Sequence, residues 1–91
     1  GSDGLDAGAT LDSGVLSTLS VNRIILRIQS EDLGSRLEAA KEIRLLTKTS
    51  QRYRRFFSPA VEHLVDMLRC SSDVAKEVAL AACLNLAVQD E

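Results

Sequence analysis

An all-α fold of stacked helices is predicted by three features of this 91-residue sequence. Apolar residues recur at helical spacing in one segment after another. No stretch shows the strict polar and apolar alternation of an amphipathic strand, and no hairpin dipeptide such as Asn-Gly occurs. Helical segments set 40 residues apart also repeat one another, which is the mark of an array in which each unit buries its faces against its neighbours.

The opening "GSDGLDAGATLDSG" is rich in Gly, Ser and Asp and has no apolar period. Residues 1–13 are therefore expected to be a flexible leader or cloning remnant, and residues 14–91 to carry the fold. The first periodic segment is "VLSTLSVNRIILRIQ". Val21, Ile24, Ile25 and Ile28 fall at i, i+3, i+4 and i+7, and Leu19 and Leu26 are expected to widen the same stripe. "SEDLGS" breaks the pattern, with Gly34 as a helix end and Ser35 and Glu38 at the spacing of a capping box.

The next helix, "RLEAAKEIRLLTKT", is predicted to bury Leu37, Ala39, Ala40, Ile43 and Leu46 and to leave Lys41, Arg44 and Lys48 outside. "SQRYRRFF" makes about two turns anchored by Tyr53, Phe56 and Phe57. Ser58-Pro59 signals a new start, with serine as cap and proline at the first helical position. There Val61, Leu64, Val65 and Leu68 share a face. Ser71, Ser72 and Asp73 form the next turn and cap. The final helix is apolar nearly all round, since only Lys76, Glu77 and Asn85 are polar between Val74 and Val88.

Composition bounds the function. With 45% hydrophobic and 26% charged residues the chain reads as one small domain with a modest core. Cys70 and Cys83 with a single histidine cannot complete a zinc set, so neither metal nor cofactor is expected. Reduced thiols suit an intracellular setting, cytoplasmic or nuclear. No apolar run approaches the roughly 20 residues that span a bilayer. The net charge of −2 conceals a cluster: Arg36, Lys41, Arg44, Lys48, Arg52, Arg54 and Arg55 face only Glu38 and Glu42 between positions 36 and 55.

A 40-residue shift pairs Ala39 with Ala79, Ala40 with Leu80, Ile43 with Cys83 and Leu46 with Leu86. "SRLEAAKEIRLLTKTSQRYRRFF" resembles the entry to the armadillo array of plant U-box ubiquitin ligases, and "AVEHLVDMLRCSSDVAKEVALAACLNLAV" resembles the second and third helices of an armadillo repeat. The resemblance spans roughly residues 15–90. It implies a right-handed α-solenoid fragment of about five helices, a partial repeat at about 15–49 followed by a full one at about 50–89. The sequence departs from the family where Ser58-Pro59 stands in place of a turn glycine. No U-box sequence precedes the repeats, so no ubiquitin transfer is assigned to this segment.

The resemblance also accounts for the apolar last helix. The third helix of an armadillo repeat lies inside, between neighbouring repeats, and one apolar flank here is expected to lack its neighbour. It further singles out Asn85, because armadillo proteins that bind extended peptides use an asparagine at this place to hold the peptide backbone. A carboxamide can pair with both an N–H and a C=O of an extended chain. The alternative role is a hydrogen bond within the repeat itself.

Catalytic patterns are absent: there is no phosphate loop, no H-E-x-x-H and no G-x-S-x-G. His63 reads as a surface histidine beside Glu62 and Asp66. Glu31-Asp32 and Asp90-Glu91 read as solvated turn residues. The expected function is a non-catalytic protein-interaction module. Its partner would be a protein or an extended peptide, acidic or phosphorylated, met by Asn85, Lys41, Arg44 and Lys48. Membranes are not expected as partners, and nucleic acid is disfavoured by the acidic balance and by aromatics that look like core anchors. The rival expectation is assembly, in which the segment continues a solenoid and forms a homodimer through its exposed apolar end.

Overall fold

In a computed structural model of the chain the described residues are 15–88. They form five α-helices and one 3-10 turn: α1 (Val15–Ile28), α2 (Leu33–Thr47), α3 (Gln51–Phe57), the 3-10 turn (Ser58–Ala60), α4 (Val61–Met67) and α5 (Asp73–Leu86). The described residues are thus all-helical. The leader expected over 1–13 lies outside them, as do Asp90 and Glu91.

The start of α2 differs from the predicted capping box. Asp32 is the N-cap, and its carboxylate accepts from both the backbone N–H of Ser35 at 2.9 Å and the Ser35 hydroxyl at 3.0 Å. Ser30 in turn accepts from the Asp32 N–H at 3.0 Å, which fixes the cap. An aspartate both fills the cap and complements the positive helix end, so it wins over a serine three residues later. Gly34 therefore begins a helix instead of ending one. A Cβ there would lie 3.3 Å from the Asp32 carboxylate, so glycine leaves the cap room. Glu38 pairs with Lys41 at 3.5 Å.

Ser58 also departs from its expected role. Its hydroxyl donates back to the Arg55 carbonyl at 3.1 Å, and Pro59 opens a 3-10 turn that joins α3 to α4 without a side-chain cap. The cap expected in the 71–73 turn does form, with Ser72 accepting from the Ala75 N–H at 3.2 Å, and Ser50 caps α3 without having been foreseen, accepting from the Tyr53 N–H at 3.1 Å.

The core gathers Val21, Ile24 and Ile28 of α1, Ala39, Ala40 and Ile43 of α2, Phe57, Ala60, Leu64 and Met67, and Ala75, Val78, Ala79 and Ala82 of α5. Each large aliphatic or aromatic side chain in it contributes about 1.5–3 kcal/mol by leaving water. Two expectations are corrected here. Leu19 and Leu26 are exposed, because both lie opposite the Val21–Ile24–Ile28 stripe. In α4 the buried side chains are Leu64 and Met67, while Val65 turns outward, since the 3-10 turn rotates the helix entry. Thr47 is fully buried, and its hydroxyl donates to the Ile43 carbonyl at 2.6 Å, so the polar group enters the core satisfied.

Alanines at the α2–α5 contact let the two helices approach closely. Asn85 near the end of α5 meets Arg44 near the end of α2, and Arg36 at the start of α2 reaches Asp66 of α4, from which the chain turns directly into α5. The two helices therefore run in the same direction. Helix α1 also packs on α2, tied by Arg27 to Glu42 at 2.8 Å.

Candidate interaction surface

Lys41, Arg44, Leu45 and Lys48 stand at i, i+3, i+4 and i+7, so one face of α2 carries all four. Together they line a shallow groove of about 280 Å³. Leu45 is 72% exposed at its centre. The three predicted cations are thus brought to one place. Sequence reasoning missed Leu45 as part of it; the signal was its place four residues after Lys41 and three before Lys48.

Among the described residues Lys41 has the Glu38 carboxylate at 3.5 Å, whereas Arg44 and Lys48 have no carboxylate within ion-pair distance. Like charges at these spacings destabilise a helix by a few tenths of a kcal/mol per pair, roughly as much as an opposite pair stabilises it. A face that accumulates such repulsion around an exposed leucine is poorly suited to folding and well suited to receiving negative charge beside an apolar group.

Asn85 lies next to this face in a different role from that of its neighbours. Its Nδ2 donates to the Arg44 carbonyl at 3.0 Å, one of the last carbonyls of α2 that the helix itself satisfies weakly. The asparagine thus joins α5 to α2, and its amide donor is engaged within the chain. Arg54 does similar work from α3: Nε donates to the Thr47 carbonyl and Nη2 to the Lys48 carbonyl, both at 2.8 Å. A guanidinium at a helix C-terminus meets both orphan carbonyls and the negative end of the dipole. Arg54 was grouped with the basic cluster in the sequence, where nothing distinguished it from a surface cation.

A second groove of about 330 Å³ lies between α3 and the end of α5, lined by Gln51, Arg54, Arg55, Ser58, Leu86 and Val88. Arg52 lies 5.5 Å from the centre of the Phe56 ring, a cation–π contact. Tyr53 stacks on Phe57 and meets Phe56 edge-on, both with ring centres 6.1 Å apart, so these rings pack against one another.

His63 lies 3.8 Å from Glu62 and 3.5 Å from the Gln29 amide, while Asp66 is engaged by Arg36 and Arg69. Both cysteines are free thiols, and burial pushes the Cys83 thiol up from its ordinary value. Among the described residues no three His, Cys, Asp or Glu side chains converge to hold a metal ion. No described helix is long and apolar enough to cross a membrane. No protein family, curated protein or solved structure matches the chain in comparison.

Proposed function

We propose that this chain is a non-catalytic protein–protein interaction module, a segment of a right-handed armadillo-type α-solenoid. The observation that carries the proposal is the convergence of Lys41, Arg44 and Lys48 around the exposed Leu45 in one groove. Its partner is an extended acidic or phosphorylated stretch of another protein, whose charges meet the cations and whose apolar side chain covers Leu45. The parallel run of α2 and α5 at a 40-residue repeat supports the solenoid reading, as does the alanine-lined contact between them. By its resemblance to plant U-box proteins, the segment serves a ubiquitin ligase as the part that selects substrate or regulator.

Binding of fluorescent acidic dodecapeptides, with and without phosphoserine, tests this by anisotropy. Charge reversal at Lys41 and Arg44 is expected to weaken binding about tenfold or more, an effect lessened by salt. Circular dichroism should show the helices intact. Equal affinity of the reversed variant, or of a neutral peptide, would overturn the proposal.

A further inference from the structure

The outward face of α5 is the chemical counterpart of the groove on α2. Opposite its buried Ala75, Val78, Ala79 and Ala82, α5 presents Asp73, Glu77, Leu80 and Leu84. Leu80 is 49% and Leu84 61% exposed, and Glu77 has no cation within ion-pair distance among the described residues. Asp73 has Lys76 at 3.5 Å, yet its side chain is almost wholly exposed. One helix therefore shows cations around a leucine, and its parallel neighbour shows carboxylates beside leucines.

We propose that a second copy of this chain covers this surface, in an isologous dimer in which α2 of each copy lies over α5 of the other. Charge decides the orientation. A two-fold axis across the helices would stack α2 on α2 and bring the two sets of Lys41, Arg44 and Lys48 together. An axis along the helices pairs unlike faces instead, and a two-fold interface of this kind satisfies both copies at once.

Register follows from the Asn85–Arg44 contact, which puts these residues at one level. An axis along the helices preserves level, so Leu45 meets the partner's Leu84. Lys41 then stands about five residues from the partner's Glu77, or about 7.5 Å along the axis, within the combined reach of the two side chains. Two helices of this length side by side offer a face of about 22 by 20 Å, so the dimer buries less than the roughly 1,200–2,000 Å² of a standard interface. It is a weak, salt-sensitive dimer.

Light scattering on the 91-residue chain, over concentrations up to about 1 mM, should show a mass rising from monomer toward dimer, with the rise suppressed by added salt. Lys41→Glu alone and Glu77→Lys alone should each abolish the rise. The double swap should restore it, because the pair is re-formed with its sign exchanged. Circular dichroism confirms that each variant keeps its helices; if a single variant unfolds, Leu84→Ser with Leu45→Ser provides the same loss through the apolar contact. A monomer at every concentration overturns the dimer, as does a double swap that stays monomeric while folded. Association through another face, unmoved by all these variants, overturns it equally. None of these results alters the peptide-binding test, which is read at concentrations where the chain is dilute.

Discussion

Helices α2 and α5 lie 40 residues apart in the sequence, run in the same direction and meet through small side chains, yet they show different outward faces. Helix α2 packs against α1, α3 and α5. Its outward stripe sets three cations around the exposed Leu45. Helix α5 packs against α2, α3 and α4, and its outward surface keeps Val74, Leu80 and Leu84 in water. Both helices pack on three neighbours, so the residues placed on the outward face, and not the extent of packing, set what each helix shows.

Substitutions of one aliphatic residue on each helix break this comparison most forcefully. Ile43→Ala removes a fully buried side chain and should cost about 2–5 kcal/mol, whereas Leu84→Ala on α5 should fall within about 0.5 kcal/mol of the parent. Urea unfolding checks both. Similar losses would mean that the α5 surface is covered in solution.

The bonds that close the end of α2 come next. Arg54→Met, which keeps much of the stem but loses two charged hydrogen bonds, should destabilise by about 1–2 kcal/mol in the same assay. Asn85→Ala should cost about 1 kcal/mol through its single bond to Arg44. If Asn85→Ala leaves stability untouched while weakening peptide binding, the asparagine serves the partner and not the α2–α5 contact.

A cap comparison follows. Asp32→Ala should lose about 0.5–2 kcal/mol and Ser35→Ala much less, because the carboxylate of Asp32 holds the Ser35 N–H whatever the Ser35 side chain. The reverse order in thermal melts would restore the capping box read from the sequence.

The smallest effect concerns pH. Burial raises the Cys83 thiol, so the folded state disfavours its thiolate. The stability this represents is complete below the unfolded thiol's value and is lost as pH rises through it toward the folded one. Cys83→Ser should flatten the decline in melting temperature on the alkaline side, and alkylation of Cys83 should lag behind that of a free thiol until the pH is raised.

Most of the helical plan was legible in the sequence because helix formation depends on near neighbours. The spacing of Val21, Ile24 and Ile28, the alanine pair at 39 and 40, and the serine at 72 all state local requirements that the structure meets. The three cations of the groove were also legible, since their spacing puts them on one face. What could not be read was competition between adequate local choices: Asp32 against Ser35 as a cap, or Ser58 as a cap against Ser58 as a partner of Arg55. Nor did pattern alone reveal that Arg54 would cap α2 or that Thr47 would be buried.

By itself, then, the sequence determined that this chain is helical, roughly where its helices lie, and which face of α2 is positive. The tertiary structure decided which apolar residues leave water, which polar groups hold helix ends together, and that a basic and an acidic face lie side by side. The physical reason is range. Periodicity and capping are set within a few residues, whereas exposure of Leu26 or Leu84 and the partners of Asn85 and Arg54 depend on which helices happen to pack against them.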